Sequence, residues 1–171
     1  MDAFAAALHS DGPAADREEA LRLYGQFVGA WDGEVRFLDP SGSEEHASAE
    51  VQFGWVLEGR AIQDVWIAPA RRDPAPRGRM YGTTVRVYNP VRGDWEITWI
   101  DPSRDQAFER QRGQRVGDEI VQESRGENGA VTQWIFTDIG PESFRWLARR
   151  SDDGGQSWRQ VTEFRFTRRA S

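Results

Sequence analysis

The chain contains no cysteine and no lysine, and only two histidines, His9 and His46, among its 171 residues. All 22 basic residues are therefore arginines, and with 28 acidic residues they give a net charge of −6. These absences exclude a disulfide, a thiolate nucleophile, a cysteine zinc ligand and a lysine Schiff base. His9 falls in the N-terminal segment 1–15 and His46 in a predicted polar loop at 41–49, so neither is expected to face a barrel interior and we expect neither haem nor another metal as cofactor.

Charge and hydropathy also limit the partners. The pI is near 5.0, which is unfavourable for binding nucleic acid because that affinity depends on basic charge. The apolar runs are far shorter than the ~20 residues of a membrane span. Asp2 stands where a signal peptide carries positive charge. We therefore expect a cytoplasmic protein that binds neither nucleic acid nor membrane.

The N-terminal region is predicted to hold one helix. Residues 1–15 are rich in small residues and are predicted to be a mobile leader before a single domain at 16–171. Asp16 is the expected helix cap, with Glu19 in the capping-box position and Gly29 at the end. The apolar stripe at helical spacing is Ala20, Leu23, Tyr24, Phe27 and Val28.

From Gly29 onward the apolar period is 2, which predicts strands separated by short turns. Short loops favour antiparallel neighbours, and closure of the sheet removes its exposed edges. We therefore predict an all-β, antiparallel up-and-down barrel of about ten strands with one N-terminal helix; a two-sheet sandwich is the alternative. The candidate strands are 31–37, 51–57, 62–67, 80–88, 95–99, 106–112, 119–125, 131–137, 143–149 and 158–167.

Residues 151–158, Ser-Asp-Asp-Gly-Gly-Gln-Ser-Trp, resemble an Asp-box. In the sialidase-type propellers that carry this motif repeatedly, it shapes a β-hairpin turn and takes no part in catalysis. A short acidic side chain and glycines with positive φ suit such a turn. The single copy predicts a turn here and nothing about glycosidase chemistry.

Asp64 is the most informative carboxylate of the chain. By strand alternation it shares a face with Ile62 and Trp66. A carboxylate between large apolar side chains requires a partner, either an arginine or a bound ligand. The candidate arginines in the middle of strands are Arg86, Arg110 and Arg145.

Six tryptophans lie in predicted strands, where they either fill the barrel or enclose a cavity. An eight-stranded barrel is just wide enough to be filled by its side chains, and ten strands make it wider, so we favour a cavity. Indoles around a cavity suit a flat or hydrophobic small molecule. The predicted ligand-binding residues are Asp64, Trp66, Tyr81, Trp99, Arg110, Trp134 and Trp146.

The order of four segments along residues 24–167 resembles an uncharacterised family of calycin-like barrels, which are lipocalin-like or fatty-acid-binding-protein-like. The segments are Phe-Val-Gly-Ala-Trp-Asp-Gly-Glu-Val at 27–35, Trp-Val-Leu-Glu-Gly-Arg-Ala-Ile-Gln-Asp-Val-Trp at 55–66, Tyr-Gly-Thr-Thr-Val-Arg-Val-Tyr-Asn-Pro at 81–90 and Trp-Glu-Ile-Thr-Trp at 95–99. The resemblance implies a barrel of roughly ten strands with an internal pocket. Nitrobindin-like haem barrels are more distantly similar, but this chain lacks the histidine that they place in the C-terminal strands.

The sequence is compatible with three alternative functions. The first is binding of a small hydrophobic or aromatic molecule inside the barrel, with Asp64 and an arginine at its polar end. The second is an enzyme, an isomerase or cyclase of a hydrophobic metabolite, in which Asp64 would be catalytic. The third is a non-catalytic interaction module with a filled barrel. A homodimer is compatible with each of them.

Overall fold

The computed structural model describes residues 2–73, 80–103 and 108–170. None of the helices within these ranges is long and apolar enough to cross a membrane. A 3-10 turn at Ala15–Arg17 precedes the second helix. In chain order the elements are α1 (Ala3–Leu8), β1 (His9–Ser10), α2 (Glu18–Gly25), β2 (Gly29–Leu38), β3 (Glu44–Val56), β4 (Ala61–Ala68), β5 (Met80–Asn89), β6 (Asp94–Ile100), β7 (Glu109–Val116), β8 (Glu119–Arg125), β9 (Val131–Thr137), β10 (Ser143–Ser151) and β11 (Arg159–Arg168).

The ten strands β2 to β11 form a closed antiparallel barrel. Each strand pairs with the strand that follows it in the chain, and β11 pairs with β2 to complete the circle. The two-residue strand β1 adds to β3 beyond the end of β2, where His9 pairs with Val56. The prediction of an up-and-down barrel of about ten strands is confirmed, and the sandwich alternative is excluded.

Helix α2 closes one end of the barrel. Leu21 is fully buried, and the Tyr24 ring meets Trp95 edge-on at 4.8 Å between centroids. Phe27, just after the helix, lies 4.7 Å from Phe136. These side chains fill the half of the barrel nearest α2, so any free space lies in the opposite half.

The helix is shorter at both ends than the sequence predicted. The Asp16 carboxylate accepts a hydrogen bond from Arg60 Nη1 at 3.1 Å instead of capping the helix, which begins two residues later. The helix also ends before Gly29, because the Phe27 N–H donates to the Tyr24 carbonyl at 3.1 Å in a turn. This turn directs the Phe27 ring into the core.

The prediction of a loop at 41–49 is wrong, since β3 begins at Glu44 and runs through His46. The inward-facing residues of this half-strand are Ala47 and Ala49, so the sequence shows no alternation of large apolar residues. The His46 side chain is 67% exposed on the outer wall.

The Asp-box segment forms the turn between β10 and β11. Asp153 Oδ1 accepts hydrogen bonds from the backbone N–H groups of Gln156 and Ser157, both at 2.9 Å. Gly154 and Gly155 have φ values of 76° and 100°, which favour glycine. Hydrogen bonds, chiefly with Ser151, hold the pKa of Asp153 well below its ordinary value. This carboxylate therefore shapes the turn.

A carboxylate on the outer wall fastens the C-terminus and the segment after β4 to the barrel. Glu50 is 4% exposed, and its Oε1 accepts hydrogen bonds from both the backbone N–H and the Nε of Arg71 at 2.8 Å. Arg169 bridges Glu50 and Asp32, with its Nε 3.0 Å from Asp32 Oδ2. The hydrogen bond from the Arg71 side chain is the main cause that lowers the pKa of Glu50 to about 2.

We expect Glu50 to make the fold sensitive to acid. Because its pKa is lowered by folding, its contribution is complete above the pKa of the unfolded chain and is lost as the pH falls toward about 2. After screening by solvent, the contribution is about 2 kcal/mol. Urea unfolding at a series of pH values should show a shallower acid slope for Glu50→Gln than for wild type. Arg71→Gln should reduce the slope similarly, and a slope unchanged in both variants would contradict this assignment.

Candidate functional site

A cavity of about 210 Å³ lies at the end of the barrel opposite α2 and is partly open to solvent. Four tryptophans from four different strands line it: Trp66 of β4, Trp99 of β6, Trp134 of β9 and Trp146 of β10. They come together because Trp66 and Trp99 have inward positions near the strand ends farthest from α2, and Trp134 and Trp146 have inward positions near the middle of neighbouring strands. The cavity is therefore walled mainly by indole rings.

Of the six tryptophans predicted to lie in strands, four line the cavity in the structure and two pack elsewhere. Trp66, Trp99, Trp134 and Trp146 line the cavity, whereas Trp95 packs against α2 and Trp55 against Gly25. The structure does not bring the other three predicted ligand-binding side chains, those of Asp64, Tyr81 and Arg110, to the cavity wall. Tyr81 is 50% exposed on the outer face of β5, and Arg110 is exposed on the outer face of β7.

Trp146, one of the tryptophans that line this cavity, has an unpaired hydrogen-bond donor. Its ring packs against Trp66 at 5.2 Å and against Phe164 at 5.4 Å between centroids. The side chain is buried, and its indole Nε1–H finds no acceptor among residues 2–73, 80–103 and 108–170. An unsatisfied buried donor costs about 1–3 kcal/mol.

Arg86 and Asp64 form a fully buried ion pair at the bottom of the cavity. Arg86 Nη1 donates to Asp64 Oδ2, and the Thr84 backbone N–H donates to Asp64 Oδ1 at 2.8 Å. Both side chains of the ion pair are at most 1% exposed. Of the three arginines predicted as partners for Asp64, the structure selects Arg86. Asp64 itself stands behind Arg86, which is the member of the pair that lines the cavity.

The guanidinium of Arg86 separates the filled half of the barrel from the cavity. On the filled side it lies 5.0 Å from the Tyr24 ring centroid and 5.7 Å from those of Phe53 and Phe136. Such contacts stabilise a cation that is removed from water. Burial raises the pKa of the Tyr24 hydroxyl.

Two glutamines, which sequence reasoning missed, continue from Arg86 along the wall. Arg86 Nε donates to Gln122 Oε1 at 3.1 Å, and Gln122 Nε2 donates to Gln111 Oε1 at 2.8 Å. Arginine can only donate, so it fixes the orientation of the first amide and, through it, of the second. This order leaves the Gln111 amide nitrogen, a double donor, at the cavity wall.

Glu109 is a further polar residue of the cavity to which the sequence assigned no role. It lines the cavity, stands opposite Trp99 in the β6–β7 ladder, and accepts a hydrogen bond from Ser124 Oγ at 2.7 Å. Burial raises the pKa of the Glu109 carboxyl, against the opposing effect of the Ser124 hydroxyl. Strand alternation from Gly113 through Gln111 could have placed it inside the barrel.

No protein-family model and no curated protein matches the chain. Among solved structures it is similar to Rv2717c from M. tuberculosis, with 17% identity and a TM-score of 0.62 over 92% of this chain and 99% of that chain. It is also similar to the S-type phycobiliprotein lyase CPES from Guillardia theta, with 12% identity and a TM-score of 0.59 over 93% of this chain and 99% of that chain. At these identities the similarity shows a common barrel fold.

Proposed function

We propose that this protein binds a compact aromatic or hydrophobic molecule inside its barrel, where a small shift of the Trp146 ring toward the cavity would bring its indole N–H to a hydrogen-bond acceptor of the ligand. The observation that carries the proposal is the cavity of about 210 Å³ between four tryptophans, one of which has an unpaired buried donor. A dry cavity of ~150 Å³ is large enough for benzene, whereas sites for drug-sized ligands have ~300–1,000 Å³. A ligand with one or two rings therefore fits best.

The fold comparison supports a chemical function of the cavity. One of the similar structures named above is a phycobiliprotein lyase, so a protein with this barrel fold is by its name an enzyme. We also propose that the barrel is calycin-like in the sense of the sequence resemblance, since a helix-closed barrel of ten strands with an internal cavity agrees with it.

An enzyme that acts on the same class of molecule is the second candidate, and Glu109 is the observation that favours it. Its carboxyl lines the cavity and has a raised pKa because of burial, as a general acid or base requires. Asp64, the carboxylate predicted to be catalytic, has both oxygens engaged by Arg86 and by the Thr84 N–H. We propose that Asp64 is a positioning residue that holds Arg86.

Acetophenone and cumene are matched probes for the proposed site, because they have the same number of heavy atoms and only acetophenone has an acceptor. We expect both to bind with 1:1 stoichiometry in calorimetric titrations and to change the tryptophan emission. Trp146→Phe keeps a ring but removes the donor. It should weaken acetophenone binding by about 3- to 10-fold, as loss of one hydrogen bond predicts, and change cumene binding much less.

The titrations also separate the proposal from a filled barrel. If neither acetophenone nor cumene binds saturably to wild type, the result would contradict the proposed function and favour the non-catalytic interaction module. Equal weakening of both probes by Trp146→Phe would contradict the role of the indole N–H and leave an apolar site.

A further inference from the structure

The charged side chains of the cavity differ in whether an opposite charge of the protein compensates them. Arg86 is a cation, but Asp64 compensates it within the wall. Glu109 also lines the cavity, and Ser124 is its one hydrogen-bond donor among the described parts of the chain. A hydroxyl does not neutralise a carboxylate. The ionised Glu109 therefore presents a negative charge that no arginine among the described residues pairs with directly, although the charge of Arg150 acts on it from a distance.

The indole rings around Glu109 favour the same kind of ligand. The faces of tryptophan rings carry negative electrostatic potential and attract cations within about 6 Å, most strongly where water is excluded. Trp99 stands directly opposite Glu109 in the ladder, and three further tryptophans share the cavity with them. A carboxylate among several indoles is an arrangement that suits an organic cation.

We infer that the ligand of this cavity is an aromatic amine or quaternary ammonium compound whose positively charged nitrogen lies against Glu109 among the tryptophans. This inference rests on the proposed function, because it names the chemical class of the molecule that the same cavity binds. The ring of the ligand fills the apolar part of the cavity, and the charged nitrogen replaces water at the Glu109 carboxylate.

Several charged groups lie around the same cavity as Glu109. Asp101, just after β6, also lines the cavity. Arg86 of β5 faces the cavity from the bottom, with Asp64 of β4 behind it. The charge of Arg150 on β10 lowers the pKa of Glu109, but burial has the larger effect and raises it. Binding of a permanent cation should therefore strengthen as the pH rises and Glu109 loses its proton.

Phenyltrimethylammonium and tert-butylbenzene test this inference, because they have the same shape and differ in charge. The first keeps its charge at every pH, so that any pH dependence of its binding comes from the protein. We expect wild type to bind phenyltrimethylammonium more tightly from about pH 4 to about pH 8, with an increase of about tenfold or more. Glu109→Gln should remove this increase and weaken binding of the cation at high pH by the same factor, while tert-butylbenzene binds as well or better.

Glu123→Gln is the matched control, since Glu123 lies on the neighbouring strand β8 but holds Gln133 at 2.8 Å on the outer face of the wall. It should leave the binding of both probes within about twofold, because a surface charge is screened by solvent. Binding of tert-butylbenzene without binding of phenyltrimethylammonium would overturn the inference and leave the proposed function intact. Failure of both probes to bind wild type would overturn both. An unchanged pH profile in Glu109→Gln would overturn the role of Glu109.

Discussion

Asp64→Ala is expected to destabilise the protein by about 3–5 kcal/mol, the cost of leaving one member of a buried ion pair without its partner. The Arg86 guanidinium would stay between aromatic rings at the bottom of the cavity with no carboxylate to compensate it. The Thr84 backbone N–H would lose its acceptor as well. Equilibrium unfolding in urea should show this loss as a lower midpoint with an unchanged slope.

Two further variants distinguish the cost of leaving a buried charge unpaired from the cost of losing an ion pair in general. Asp152→Ala breaks a pair of similar geometry, 2.8 Å from Arg150 Nε, but Asp152 is 65% exposed, so we expect a loss below about 1 kcal/mol. The double variant Asp64→Leu with Arg86→Met replaces both charges by apolar groups and should recover most of the stability. A loss below about 1 kcal/mol for Asp64→Ala would show that water reaches Arg86 from the cavity.

The barrel could be predicted because most strands show their inward row directly as large apolar residues. The turns between them are equally visible, as at Asn89, whose carbonyl accepts from the Gly93 N–H at 2.9 Å with a φ of 72° at Gly93. The first half of β3 was missed because alanines form its inward row. Of the predicted strand 106–112, residues 106 and 107 lie outside the described residues, and β7 continues to Val116.

The site could be predicted only in part, because inward positions that hold glycine or polar residues look like the outer wall. Gly82 is an inward position of β5, and the Trp99 ring lies only 2.4 Å from where a Cβ on Gly82 would be. Because that inward position holds glycine, the sequence does not show which face of the strand is inward, and Tyr81, which points outward, resembles a cavity residue. The same ambiguity on β7 favoured Arg110 over Glu109, its inward neighbour.

This division of the barrel assigns separate roles to its two halves. The aromatic layer against α2 supplies packing, and the Arg86–Asp64 pair ends that layer with a fixed polar surface. The opposite half keeps free space although four of its wall residues are tryptophans. A substitution that fills the free space should therefore abolish ligand binding without disturbing the half that stabilises the fold.

Ala148→Phe is the substitution with the largest expected effect on function. Ala148 lines the cavity between Trp134 and Thr162, its neighbours in the β-sheet. A phenyl ring needs nearly the space of benzene, for which ~150 Å³ is sufficient, and so it would occupy most of the 210 Å³ that are present. We expect acetophenone and phenyltrimethylammonium to bind at least about 100-fold more weakly, while overpacking costs about 1–3 kcal/mol of stability.

Leu147→Phe is the matched control for this variant, because it adds a ring to the same strand on the face that points away from the cavity. Calorimetric titration of both variants, with the near-ultraviolet circular dichroism as a check on folding, measures the difference directly. Binding that survives in Ala148→Phe would place the ligand outside the barrel. Binding that is lost in both variants would indicate a general disturbance of β10, since the two rings point to opposite sides of the wall.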